Sequence, residues 1–562
     1  MKKISPSAFF RGRFPLAILA GLLLASAFPD FGIAGFAWIA PGLILAVALG
    51  KKGAEAWRIG YVAGLAHYLG SLYWLLNIPL KGFPILGWIA LAAFLALFPA
   101  TWVWLSLRSS LVPRPSSLDW LSAARNISES SWTARMSWAL RSAAIWVALE
   151  MLLARIFGGF PWNLLGDSQY RIVPLIQFAS FTGVYGVSFL VVWTSVSSLC
   201  AAASILGKPN QRSPWMTEII LPFAAVVAVF VYGFHQLSKP VVTNRRLKVA
   251  LVQPGIPQSM IWDEANNMVR FHDLLKLSEQ ALTNHPDLVI WPEAALPGLP
   301  RFQPEFADPI AALARDHNAW MLIGADDAEA TPTATNYFNA AFLIDPDGKL
   351  ADSYRKRGLV IFGEYIPLER WLPFIKWFTP ITGSYTPGDR AVQFELERRS
   401  TTRRESNQIP LGSETVTSDK FQTSVLICFE DVFPHLARKS VEPDTDFLVN
   451  ITNDGWFGEG AAQWQQAAAA TFRTVENGVP LIRCANTGIT CWIDANGRWV
   501  QNFTDKNGSV YGVGFMIATI PLPDKHPQTF YNLHGDCFGW ACAALAIATL
   551  LLTGSVRGRA SK

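Results

Sequence analysis

Charged residues are scarce: Asp, Glu, Lys and Arg make up 16% of the 562 residues. An average soluble domain carries roughly 25%, so a chain built only of soluble domains is excluded. Cysteine is scarce too. Cys200, Cys428, Cys484, Cys491, Cys537 and Cys542 form no CxxC pair, which excludes a zinc ribbon and a disulfide framework. Cys200, Cys537 and Cys542 lie in or beside apolar runs and read as small fillers. Cys484 and Cys491 are expected to stay unpaired. There are eight histidines, and His67 and His235, inside apolar runs, lack metal-ligand spacing. The net charge of +5 is spread between apolar runs, not gathered into a patch, which argues against a nucleic-acid partner. No internal repeat of fixed period is present.

What is present is apolar mass: 51% hydrophobic residues and 23 Trp. A bilayer core takes about 20 apolar residues per helix. Seven candidate spans precede residue 240: Phe14–Pro29, Gly32–Leu49, Ile59–Leu76, Phe83–Leu107, Trp138–Phe157, Ile176–Leu206 and Ile219–Leu237. An eighth is Phe538–Leu552. The first resembles a signal peptide, but further spans follow at once, so a retained helix is expected. Residues 1–240 thus form a membrane domain of seven helices, and 537–553 a C-terminal span. Basic residues mark alternate loops: Lys51, Lys52 and Arg58; Arg108, Arg114, Arg125 and Arg135; Lys208 and Arg212; and the tail with Arg557, Arg559 and Lys562. Positive-inside reasoning puts both termini in the cytoplasm and residues of about 240–535 on the opposite side, which in a bacterium is the periplasm or the outer surface.

Residues 246–523 read as one α/β domain. Leu247–Gln253, Asp287–Trp291, Trp320–Gly324, Val392–Leu396, Ser424–Cys428 and Phe447–Ile451 are strand-like, and Ala265–Leu282 and Ile310–Arg315 have helical spacing. Turns at Asp345–Gly348 and Ala495–Gly497 predict hairpins. Strands alternating with helices predict a layered sandwich. The polar inserts Pro113–Arg135 and Glu397–Lys420 are expected as mobile loops.

Three fragments carry chemistry. Cys428 ends an apolar strand ahead of an acidic pair and a helix start, a place where a dipole favours a thiolate. Glu293 follows Trp291-Pro292, and Lys356 follows Tyr354-Arg355. They supply a nucleophile (Cys428), a proton acceptor (Glu293) and an ammonium that stabilises thiolate and oxyanion (Lys356). Taken singly, each reads more readily as a core thiol, a solvated lysine or a loop cap. Within the fifth span, Glu150 with Arg155 is expected to make a structural hydrogen bond or ion pair.

The order Glu, Lys, Cys resembles the nitrilase superfamily. With seven spans before it and one after, the chain resembles the bacterial apolipoprotein N-acyltransferases over nearly its whole length. The stretches that carry the resemblance are Tyr73-Trp74, Gly159–Trp162, Val252-Gln253, Ile256–Ser259 with Trp262, Trp291–Pro297, Tyr354–Lys356, Phe362–Pro367, Leu426–Glu430, Thr452–Gly458 and Arg483–Gly488. Phe429 stands where the family commonly has Tyr, and Gly358–Ile361 where it usually shows His-Leu-Val-Pro.

The resemblance implies a polytopic α-helical membrane bundle of about eight spans plus a nitrilase-like αββα sandwich outside the cytoplasm. It implies transfer of an acyl chain from a phospholipid, through a Cys428 thioester, to the α-amine of a diacylated apolipoprotein. No metal and no cofactor are called for. Glu364 and Glu430 become supporting carboxylates, Glu364 by orienting Lys356. Trp262 and Trp456 become candidates for lining an acyl or lipopeptide groove, and Asn453 and Asp454 for shaping a loop. Two other readings stay open: a membrane-tethered amidase that yields its acyl group to water, and a non-enzymatic membrane protein with an inactive domain.

Overall fold

A computed structural model describes residues 12–79, 83–108, 120–207, 215–240, 243, 245–261, 263–332, 334–367, 384–402, 415–524 and 528–560. The chain divides into two compact units. One comprises Met1–Lys239, Gly460–Glu476 and Thr529–Lys562; the other comprises Pro240–Glu459 and Asn477–Gln528. Gly460–Glu476 lies inside the stretch expected as catalytic domain, yet groups with the first unit.

The first unit is helical. Among the described residues four helices are long and apolar enough to cross a membrane: Pro84–Arg108, Trp132–Leu153, Val184–Gly207 and Met216–Leu237. Phe14–Ala25, Val173–Thr182 and Cys537–Leu551 are apolar but shorter. Eight spans were expected, and the difference has local causes. Gly32–Leu49 breaks into a 3-10 turn, Ala34–Trp38, and a nine-residue helix, Ala40–Ala48, that starts afresh at Pro41. The span expected over Ile176–Leu206 begins only at Val184, after Gly183, whose φ of +66° suits glycine and whose added Cβ would meet the Tyr531 ring at 2.6 Å, and it remains one of the four. Gly53–Ser71 has full length but is diluted by glycine and His67. Leu16, Leu19, Leu86, Ile89, Ile220, Phe223, Val231 and Leu551 all face outward, a surface suited to lipid and costly in water. The insert expected as a loop at Pro113–Arg135 is helical over Trp120–Glu129, and Trp132 opens the next helix.

Two of the sequence stretches meet inside this unit. The Gln465 Oε1 accepts from the indoles of Trp74 (3.1 Å) and Trp162 (2.7 Å), and its amide donates to the carbonyls of Ser71 and Pro29. The two indole rings lie 5.0 Å apart. Gln465 comes from the helix Ala461–Asn477. Burial without such partners would cost each indole N–H about 1–3 kcal/mol.

The second unit is built on two six-stranded sheets. In chain order the strands are β1 Arg245–Gln253, β2 Leu288–Ile290, β3 Trp320–Ala330, β4 Thr335–Ile344, β5 Leu350–Arg355, β6 Gln393–Thr402, β7 Thr415–Ile427, β8 Phe447–Thr452, β9 Leu481–Ala485, β10 Cys491–Ile493, β11 Trp499–Asn502 and β12 Gly514–Leu522. The sheet orders are β12-β1-β2-β3-β4-β5 and β11-β10-β9-β8-β7-β6. Each has a parallel centre, β1-β2-β3 or β7-β8-β9, flanked by antiparallel strands. Alternation along the strands sorts the layers. Leu247, Val249 and Leu251 join Val425, Ile427, Val449 and Ile451 in the core between the sheets. Ala250 and Val252 turn the other way, onto Phe271 and Leu274 of the helix Asn267–Leu282 and Ile310 of Pro304–His317. Each fully buried Val, Leu or Ile contributes about 1.5–3 kcal/mol. The insert at Glu397–Lys420 is in its flanks a β-ladder, with Thr402 opposite Thr415; residues 403–414 lie outside the described residues. Cys484 and Cys491 are both free.

Candidate active site

Glu293, Lys356 and Cys428 each stand just past the end of a strand. Glu293 follows β2. Its segment is pressed against β3: a Cβ on Gly324 would sit 2.2 Å from the Pro292 carbonyl oxygen and 2.8 Å from the Glu293 Cα. Only glycine lets β3 come so near. Lys356 follows β5, and its N–H donates to the Asn339 carbonyl at 2.8 Å. Cys428 follows β7 with φ +52°, a left-handed conformation that a non-glycine residue adopts at a cost. The Asn450 amide donates to the Cys428 carbonyl at 3.1 Å and so supports the bend.

The polar groups form one network. Lys356 is 1% exposed and Glu293 7%. The Lys356 ammonium lies 3.1 Å from Glu293 Oε1 and 2.8 Å from Glu364 Oε1. Asn339 Nδ2 donates to the same two oxygens, at 2.7 and 3.0 Å. The second oxygen of Glu293 accepts from the Asn453 N–H at 2.9 Å, and that of Glu364 from the Val360 N–H at 2.8 Å. Both carboxylates are thus held at both oxygens. Asn339 carries no motif, and its role rests on β4 register; Asn453 acts through its backbone, which no side-chain pattern reveals.

Burial alone would lower the pKa of the Lys356 ammonium. The Glu293 and Glu364 charges outweigh burial and hold its pKa well above the lysine range. For the Cys428 thiol, burial pushes the pKa up and the Glu293 charge adds to it, while Lys356 and a hydrogen bond from Thr452 oppose. The net direction is upward. The helix-dipole thiolate expected from the sequence is therefore not what the structure favours. The turn Cys428–Val432 is a 3-10 segment of five residues, too short for a dipole that offsets burial. Burial and the Glu293 charge thus favour the thiol over the thiolate.

Glu430 is fully buried and braces the site. Its Oε2 accepts from the Ile427 N–H at 2.8 Å. Its Oε1 accepts from the N–H groups of Arg357 (2.7 Å) and Gly358 (2.9 Å), and from the Tyr354 hydroxyl at 2.8 Å. One carboxylate thereby joins the strand end before Cys428 to the segment just after Lys356. Phe429 brings no hydroxyl; its ring packs edge-on against Phe433 at 4.9 Å. Arg483, from β9, pairs with Asp431 at 2.6 Å and Asp454 at 3.0 Å, tying the turn after Cys428 to the Asn453–Phe457 loop. Trp456 sits half-buried on that loop. Trp262 lies outside the described residues.

Comparisons with known proteins place these features in context. A family model described as carbon–nitrogen hydrolase matches residues 248–524, and one described as apolipoprotein N-acyltransferase N-terminal domain matches residues 20–197. A protein of Geobacter metallireducens named apolipoprotein N-acyltransferase is 33% identical over 550 residues, 96% of this chain and 95% of its own. One of Rickettsia prowazekii with the same name is 28% identical over 538 residues, 96% of each chain. Among solved structures, Saccharomyces cerevisiae Nit3, of the nitrilase superfamily, matches at 18% identity and a TM-score of 0.34, over 50% of this chain and 93% of its own.

Proposed function

The chain belongs to the apolipoprotein N-acyltransferase family, and from that premise we propose that it transfers an acyl chain from a phospholipid to the N-terminal α-amine of a diacylated apolipoprotein, with Cys428 as the carrier. The observation that carries this reading is the buried pairing of the Glu293 carboxylate with the Lys356 ammonium, and the Glu430 carboxylate that ties the segment after Lys356 to the strand end before Cys428.

In the first step Glu293 takes the thiol proton as the sulfur attacks the phospholipid ester carbonyl. The carbonyl oxygen becomes an oxyanion, met by the Lys356 ammonium and a backbone N–H beside Phe429. As the C–O bond breaks, Glu293 returns the proton to the departing oxygen, and a lysophospholipid leaves. Cys428 now holds the acyl chain as a thioester. In the second step the α-amine attacks that thioester, and Glu293 accepts the amine proton. The C–S bond breaks, the sulfur takes the proton back, and the product is an amide. Glu364 keeps the ammonium aimed by a charge-assisted hydrogen bond. Trp456 and Trp262 are assigned to the lipid-binding groove. The chain acts from the bacterial inner membrane, with both termini cytoplasmic and the catalytic domain, residues 246–523, in the periplasm. The alternation of basic loops supports that orientation.

Intact mass tests the reading. Full-length protein in detergent, incubated with a defined phospholipid, should gain one acyl mass that hydroxylamine removes and that Cys428→Ala never acquires. A diacylated lipopeptide should discharge it and gain that acyl mass as an amide. Discharge to water at an unchanged rate, with no acylated lipopeptide, would make the protein an amidase-type hydrolase instead.

A further inference from the structure

A third carboxyl stands beside Glu293 and Glu364, on residues outside every motif discussed above. Asp326 lies on β3 directly opposite Asn339 on β4. Opposed residues of an antiparallel pair share a face, so Asp326 shares the face of the amide that bridges Glu293 and Glu364. Its neighbour Asp327 turns the other way, to Arg301 and Arg355, each at 3.0 Å. Among the described residues Asp326 receives no such cation. Its carboxyl accepts from the Tyr385 hydroxyl, at 3.1 Å on one oxygen and 3.2 Å on the other. Tyr385 is itself anchored to the site, because its N–H donates to the Glu364 carbonyl at 2.8 Å. The next residue, Thr386, donates to the Tyr337 carbonyl at 2.7 Å.

The groups around Asp326 are therefore Glu293 from the loop after β2, Glu364 from the loop after Lys356, Lys356 itself, Asn339 on β4 and Tyr385. Among the described residues that cluster sets three carboxyls against one ammonium. We propose that Asp326, held in place by Tyr385, is a positioning residue whose negative charge strengthens Glu293 as the base that takes the Cys428 proton. This rests on the roles proposed above for Glu293, Lys356 and Cys428.

The sign follows from the charges. Burial raises the Asp326 pKa, the Tyr385 hydrogen bond opposes, and the charges of Glu293 and Glu364 raise it further, to about 6. Above that pH the carboxylate adds a negative charge beside Glu293 and favours proton transfer to it. Below it the carboxyl is neutral and the help is withdrawn.

The test is the pH profile of single-turnover acyl-enzyme formation, measured by intact mass on the full chain with a defined phospholipid. Asp326→Asn should lose the acid limb near pH 6 that protonation of this carboxylate produces in the wild type. Its plateau rate should fall about threefold, as a weaker base implies. Tyr385→Phe removes a hydrogen bond that favours the charged form. Its profile should follow Asp326→Asn on the acid side and return to wild type at high pH. Asp326→Glu keeps the charge and should keep the limb. Glu293→Gln, run in parallel, separates the two ideas. If Glu293→Gln acylates like wild type, the roles proposed above themselves fall. If Glu293→Gln is inactive while the limbs of Asp326→Asn and wild type coincide, only the present inference falls. Should Asp326→Asn fail to fold, a Tyr385→Phe profile superimposable on wild type overturns it equally.

Discussion

Replacing Glu430 by Ala tests whether the brace between the nucleophile turn and the lysine segment governs catalysis. The wild-type carboxylate is fully buried and accepts from three backbone N–H groups, of Ile427, Arg357 and Gly358, and from the Tyr354 hydroxyl. Truncation leaves four donors without that acceptor. A buried donor left unpaired costs about 1–3 kcal/mol. Taking the low end, because the vacated space admits water, gives about 4 kcal/mol, a large share of the roughly 5–15 kcal/mol that holds a typical domain folded. The damage should be local first, since the three amides lie on the two segments that carry Lys356 and Cys428. A misplacement of about 1 Å there costs about 10²-fold in rate. Glu430→Gln should be milder, because one amide oxygen still accepts while the NH₂ faces the donors of the other side. Hydrogen exchange resolved to peptides, with single-turnover acylation alongside, makes the check. Glu430→Ala should lose protection at Ile427 and at Arg357-Gly358 and acylate at least 10²-fold more slowly. Protection and acylation both at wild-type level would refute the bracing role.

Three further outcomes are expected. Alkylation of Cys428 by a small neutral iodoacetamide should climb steadily between pH 7 and pH 10, roughly the range around a free thiol's titration; burial and the Glu293 charge hold the thiol up, so a rate already level at neutral pH would contradict a protonated resting state. Gly324→Ala should drive the Glu293 segment off β3, since its Cβ would fall 2.2 Å from the Pro292 oxygen. We expect about 1–3 kcal/mol of destabilisation and a fall in acylation without a matching change in phospholipid KM; wild-type acylation would show that Glu293 tolerates the shift. Gln465→Leu takes from Trp74 and Trp162 the acceptor they share. Tryptophan emission should change and thermal inactivation should come earlier, and an unaltered inactivation profile would remove Gln465 from the supports of the helical unit.

Much of this was legible in the residues, and where it was not the reasons are physical. Strand positions read well because alternation and apolar runs are local signals, and β1, β2, β3 and β8 fall where they were expected. Glu293, Lys356 and Cys428 could be nominated from the letters because each lies in a distinctive short stretch. Spans read less well. Hydropathy counts apolar residues but does not register Pro41, where a run restarts as a shorter helix. The polar insert at Glu397–Lys420 looked like a loop by composition, yet its flanks pair as strands, because a ladder is stabilised by the partner strand opposite and not by composition alone.

Least legible were Asn339, Asp326 and Tyr385. None sits in a motif, and Asp326 and Asp327 are indistinguishable as letters. Only register separates them: one faces Asn339 and the carboxylates, the other faces Arg301 and Arg355. The candidate base Glu293 is recognisable by its neighbours in sequence. The charge proposed to act on it is recognisable only by its neighbours in space, and a one-residue slip of β3 against β4 would exchange the faces of the two aspartates.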